Sequence, residues 1–164
     1  RGAKDGRPLD AGTIGRRLSL MLKETRTTRL VKSQDLNHHG TLFAGRIAEW
    51  FTETCFLAAV RYFGKAEDLV CVKIHGLTFM KPAHPGDAIE LVAIPARTGR
   101  KSLTIAGEVY TNDDTSPSAR GFATFVSVDA EGKPYAHGLS LPADWIEAHR
   151  ELCEEAERIQ AQGR

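Results

Sequence analysis

The pattern of apolar and polar positions changes along this chain, and the changes divide it into elements. From Leu18 the residues read as extended, with β-branched side chains at Thr25, Thr27, Thr28 and Val31, until Ser33 to Gly40 breaks the pattern. Between Phe43 and Phe63 the period becomes helical: Ile47, Trp50, Phe51, Thr54 and Ala58 recur on one face, and Cys55 to Val60 is apolar almost all round. A helix that apolar has to be wrapped by other structure, and Gly64 stands where a helix C-terminus is expected.

Beyond it, from Asp68 to Asp129, the residues read as β structure. Leu69 to Met80, Asp87 to Arg97, Ser102 to Asn112 and Arg120 to Asp129 are rich in Val, Ile, Thr and Phe, and turn-forming clusters separate them. Hairpin links imply antiparallel pairing, and Pro95 and Gly107, lying inside two of these segments, predict bulges or bends and hence a curved sheet. The last stretch, Pro142 to Gln162, places Trp145, Ile146, His149, Leu152, Cys153, Ala156 and Ile159 on one face of an amphipathic helix. The order predicts an α+β domain in which a curved five-stranded antiparallel sheet clasps one long apolar helix, with a C-terminal helix over residues 142–162. Residues 1–17 carry charge and glycine without apolar periodicity and are expected to be a mobile lead-in to a single domain over 18–164.

Composition narrows the class of function. At 164 residues one domain suffices, and a formal net charge of +1 gives no global attraction to nucleic acid or to an acidic membrane. No apolar run reaches the roughly 18 residues of a membrane span, and the first residues lack the core of a signal peptide, so a cytoplasmic location is expected. Cys55, Cys71 and Cys153 form no C-x-x-C pair, and an odd count argues for reduced packing residues rather than a disulfide framework.

The chemistry concentrates where the loop meets the helix. Asn37-His38-His39-Gly40-Thr41-Leu42-Phe43-Ala44-Gly45 puts polar side chains and glycines at a helix start, whose free N–H groups and positive dipole end suit a developing oxyanion. Glu53 follows about two turns after Gly45. His38 and His39 are adjacent, so their side chains diverge, and no H-x-x-x-H or cysteine cluster completes a metal site; no metal is expected. A second candidate is the turn Thr98-Gly99-Arg100-Lys101-Ser102 with Arg97 beside it, a local basic spot suited to phosphate groups.

These features together resemble the acyl-CoA thioesterase branch of the hotdog-fold superfamily. The helix start matches that family's Asn-x-x-Gly, Phe and Ala-Gly pattern at Asn37, Gly40, Phe43, Ala44 and Gly45. Thr78-Phe79-Met80-Lys81-Pro82, Pro85-Gly86-Asp87, the turn Thr98 to Ser102 and the strand Phe122 to Asp129 follow in the family's order. The resemblance implies hydrolysis of acyl-CoA thioesters to a free acid and coenzyme A, with no cofactor besides the coenzyme A of the substrate. It further implies a homodimer, with a hexamer as a trimer of dimers as the larger assembly. Asn37 would orient the water or the thioester, Gly45 would meet the carbonyl oxygen, and Glu53 would act as base, with His38 and Thr52 contacting substrate and Arg97 to Ser102 holding coenzyme A. One position departs from the pattern: the family's helical aspartate aligns with Thr52, and the neighbouring Glu53 is turned by about 100° around the helix. One alternative follows from that departure, a non-catalytic acyl-CoA-binding or regulatory module that has lost its base; a separate one is a hotdog dehydratase acting on acyl carrier protein, with His38 and Glu53 as its histidine and acid.

Overall fold

A computed structural model describes residues 22–162. The expected lead-in at 1–17 and the expected onset of the first strand at Leu18 lie outside the described residues. In chain order the elements are β1 (Thr25–Leu30), a short 3-10 turn (Ser33–Asp35), α1 (Ala44–Phe63), β2 (Leu69–Phe79), β3 (Ala88–Thr98), β4 (Ser102–Thr111), β5 (Ala119–Ser127), α2 (Ala143–Ala148) and α3 (Arg150–Gln162). The five strands form one antiparallel sheet in the order β1-β3-β4-β5-β2, with β1 and β2 as its edges.

The sheet bends where its ladders slip. Register shifts fall at Cys71/Lys73 and His75/Thr78 in β2 and at Pro95/Arg97 in β3, the last beside the proline that cannot donate to a ladder. Gly107 behaves differently from the bend expected of it, because the ladder runs unbroken through Ala93↔Gly107 and Gly107↔Gly121. Its small size serves the helix instead: a Cβ there would come within 2.4 Å of the Phe51 ring, so α1 lies almost on the β4 backbone.

The concave face holds the main core. Phe51, Cys55, Ala59 and Tyr62 of α1 pack on Leu91, Leu103, Ile105, Val109 and Phe125, all essentially inaccessible to water. Burying side chains of this size contributes on the order of 1.5–3 kcal/mol each, which is why the apolar helix is stable only inside the sheet. Gly64, at φ 94°, closes α1 by donating its N–H to the Val60 carbonyl at 2.7 Å.

The convex face is covered by the C-terminal segment, where Ile94, Ala96, Ala106 and Phe122 meet Ala156, with Trp145, Leu152 and Ile159 packed against them. The single helix expected over 142–162 is instead two, broken at His149 (φ −122°, ψ 31°). The Trp145 indole donates to the Pro95 carbonyl at 2.8 Å and the His149 ring lies against it, with centroids 4.2 Å apart. That tether fixes α2 on β3 while α3 follows the outer face.

Candidate active site

The first turn of α1 is uncapped. Phe43, in extended geometry, supplies no side-chain cap, and its carbonyl accepts from both Arg46 N–H (2.9 Å) and Ile47 N–H (3.2 Å). The N–H groups of Ala44 and Gly45 have no acceptor among the described residues, so the positive end of a 20-residue helix carries free donors. A side chain at position 45 would collide with the Phe43 ring, with a Cβ 2.4 Å from its Cε1.

From this point a groove of about 620 Å³ runs along the helix. Gly45, Ala48, Glu49, Thr52, Glu53 and Phe56 form its α1 wall, while Cys71 of β2 and Phe125 of β5 form its sheet wall. The Phe56 and Phe125 rings face each other at 6.0 Å between centroids and close the apolar end. The groove therefore joins three of the expected residues, Gly45, Thr52 and Glu53. Thr52 donates its hydroxyl to the Ala48 carbonyl at 2.8 Å, leaving oxygen lone pairs but no proton for a ligand. Glu53 is half exposed and its Oε2 accepts from Arg29 Nη2 of β1 at 3.0 Å.

Asn37 is not part of this groove within one chain. It lines a separate cavity of about 250 Å³ with Ala44, Ile47, Phe79 and Lys81. Its Oδ1 accepts from His39 N–H (2.9 Å) and Thr41 N–H (3.2 Å), and its Nδ2 donates to Thr41 Oγ1 at 3.0 Å. These are the bonds of a side chain that closes its own loop. His38 is exposed, and its ring does not diverge from that of His39 as expected of neighbours but lies beside it, centroids 3.9 Å apart.

The basic turn between β3 and β4 is tightly built. Gly99 N–H donates to the Ser102 carbonyl at 2.8 Å, the Arg100 carbonyl accepts from His137 N–H, and the Lys101 carbonyl accepts from Ser127 N–H. Arg100 and Lys101 are exposed and form no salt bridge among the described residues. Arg97 is committed elsewhere: its Nε donates to Glu157 of α3 at 2.8 Å, and with Thr98 it lines a third cavity beside Cys153.

Five groove residues escaped the sequence reading: Ala48, Glu49, Phe56, Cys71 and Phe125. Glu49 and Phe56 follow Gly45 at four and eleven residues, the spacing of a shared helical face, which is the signal that could have found them. Phe125 lies on the strand Phe122 to Asp129, but only the pairing of β5 with β2 reveals that it faces the helix beside Cys71. Cys71 differs from the packing role expected of it, since it is exposed in the groove wall, whereas Cys55 and Cys153 are buried. Burial pushes the Cys71 thiol above its ordinary value and the Lys73 backbone hydrogen bond opposes it; the Cys55 thiol is pushed up more strongly by complete burial.

A curved antiparallel sheet clasping a long apolar helix, with free donors where a groove meets that helix, defines the hotdog class of thioester enzymes. The sequence profile of the Thioesterase superfamily matches residues 39–118. An acyl-CoA thioester hydrolase of Buchnera aphidicola subsp. Schizaphis graminum is 30% identical over 64% of this chain and 82% of its own length. One of Bacillus subtilis is 27% identical over 68% of this chain, which spans 66% of that relative. Among solved structures, an apo-hexameric acyl-CoA thioesterase superposes with a TM-score of 0.75 at 31% identity, covering 85% of this chain and 89% of its own. An acyl-CoA hydrolase of Staphylococcus aureus, solved with butyryl coenzyme A and coenzyme A, superposes at 0.66 with 26% identity, covering 85% and 91%. The chain belongs to the Thioesterase superfamily, in its acyl-CoA thioester hydrolase branch.

Proposed function

We propose that this chain hydrolyses acyl-CoA thioesters to a free acid and coenzyme A. The observation that carries the reading is the pair of free N–H groups at Ala44 and Gly45, opening onto an apolar groove whose rim bears carboxylates. An acyl chain fits the Phe56 and Phe125 end, and the thioester carbonyl oxygen meets the Gly45 N–H as charge develops on it. The leaving group needs little help, because a thiol of pKa about 8.5 departs as thiolate. What remains for the protein is to hold a water and take its proton. Two helical carboxylates, Glu49 and Glu53, stand at the groove in place of the family's aspartate. No metal or other cofactor takes part in this reading.

The rest of the site is shared between copies. β2 is an 11-residue edge strand with Val70, Val72, Ile74 and Phe79 exposed, a row of unpaired backbone groups and apolar side chains that an identical strand from a second copy covers. The resulting homodimer brings Asn37 of one copy toward the groove of the other, where its amide orients the thioester beside His38. Three such dimers make a hexamer, and hexameric thioesterases are among the solved structures this chain resembles. Arg100 and Lys101 hold the phosphates of coenzyme A at the surface, with Thr98, Gly99 and Ser102 shaping the turn. The location is the cytoplasm, where free cysteines such as Cys55, Cys71 and Cys153 stay reduced.

Thr52 supports a second reading, an acyl-CoA-binding module without turnover, because a hydroxyl engaged with Ala48 is no base. Steady-state turnover of a panel of acyl-CoAs, with binding measured in parallel, separates the two. Hydrolysis of at least one member supports the enzyme; tight binding with no thiol release overturns it in favour of the module.

A further inference from the structure

The position of the family's acid is occupied by Thr52, and the carboxylate beside it, Glu53, lines the groove but is held by Arg29 of β1. Glu49, one turn earlier, is better placed. At about 100° per residue, Gly45, Glu49 and Phe56 fall within about 60° of Thr52 on one side of the helix, whereas Glu53 is turned by about 100°. Along the axis Glu49 lies about 6 Å of rise from Gly45 and Glu53 about 12 Å. A carbonyl whose oxygen sits on the Gly45 N–H must meet its attacking water only a few ångströms away, so Glu49 is the nearer carboxylate.

Glu49 is also held. Arg46 Nη1 donates to its Oε2 at 2.6 Å, and the same guanidinium is anchored through Nε, 3.1 Å from Oδ1 of Asp35. Asp35 is buried, with its Oδ2 accepting the Lys32 N–H at 2.9 Å. A buried acid fixing an arginine that fixes a groove carboxylate by one oxygen leaves the second oxygen for a water. This is the arrangement of a base oriented by a third group. Arg29, which holds Glu53, has no buried acid behind it among the described residues.

We propose that Glu49 is the general base of the hydrolysis, with Arg46 and Asp35 as positioning residues; the assignment rests on the hydrolase reading above. Glu49 takes one proton from the water as its oxygen bonds to the thioester carbon, and the carbonyl electron pair moves to the oxygen held by Gly45 N–H. Collapse of that intermediate breaks the C–S bond and the electron pair leaves on sulfur. The thiolate then receives the proton from Glu49, giving the free acid and coenzyme A thiol.

The test uses the full chain and an acyl-CoA that the wild type hydrolyses. Glu49→Gln should lower kcat by at least about a hundredfold with KM changed less than about threefold, and should do so at least tenfold more than Glu53→Gln. Glu49→Ala should regain turnover in added formate, a readout that a merely structural role would not move. Arg46→Lys should retain more kcat than Arg46→Met. A wild-type-like kcat for Glu49→Gln, or a larger loss for Glu53→Gln, overturns Glu49 as base while the wild-type turnover keeps the hydrolase reading. Absence of turnover by the wild type across the panel overturns both.

Discussion

The carboxylate of Glu53 accepts a hydrogen bond from Arg29 at 3.0 Å, joining α1 to the edge strand β1 at the rim of the groove. Both side chains are more than a third exposed, at 51% for Glu53 and 39% for Arg29, so water screens their attraction. A double-mutant cycle with Arg29→Gln and Glu53→Gln, read by urea unfolding, should give a coupling of about 0–1 kcal/mol. A coupling of several kcal/mol would mean that this rim is covered in the assembled protein.

The tip of the β3–β4 hairpin makes a different electrostatic prediction. Arg100 and Lys101 are exposed, and Gly99 N–H bonded to the Ser102 carbonyl holds the turn in shape without them. Arg100→Ala and Lys101→Ala should each weaken coenzyme A binding by about two- to tenfold at low salt, and the difference should shrink as added salt shortens the screening length to a few ångströms. Titration calorimetry at two ionic strengths checks this, and equal affinity at both would assign the turn to solvent alone.

A packing prediction follows from Gly107, whose missing side chain admits the Phe51 ring. Gly107→Ala has no room for its methyl group beside a ring that is 1% exposed, so it should destabilise the fold by about 1–3 kcal/mol through overpacking. Combining it with Phe51→Leu should recover part of that loss if the clash is the cause. Thermal unfolding of the two single variants and the double variant measures this; independent, additive losses would point to the sheet backbone instead.

The same residue illustrates what was legible in the sequence. Helical period gave the helix that the structure places at Ala44–Phe63, and strand-favouring residues between turn clusters gave the strands at Leu69–Phe79, Ala88–Thr98, Ser102–Thr111 and Ala119–Ser127, because burial writes itself into residue type. Gly107 was visible as an exception, but whether it served a bend or a close approach depended on Phe51, which lies 56 positions earlier. The break at His149 was invisible for a similar reason, since Trp145 is tethered to Pro95, fifty residues away. In the site, the motif located the helix start and its free N–H groups. The direction of each carboxylate did not follow from it, because Arg29 and Asp35, on other elements, decide where Glu53 and Arg46 point.

The sheet also carries a pH-dependent element. His75 of β2 shares a hydrogen bond with Thr124 Oγ1 at 2.9 Å, and Thr124 is bonded in turn to Thr104 at 2.9 Å. Burial, and then the nearby Lys73 charge, hold the imidazole below its ordinary pKa of 6.5. The sign follows from which state binds the proton first. Above the ordinary value both folded and unfolded chains carry a neutral His75 and stability is at its full value. As pH falls through 6.5 the unfolded chain is protonated first, so stability declines until the lower folded pKa has been passed. His75→Gln keeps a partner for Thr124 but cannot titrate, so its urea midpoint should fall less than that of the wild type between about pH 8 and about pH 5. Parallel declines for the two proteins would remove His75 as a source of acid sensitivity and assign it to carboxylates elsewhere on the chain.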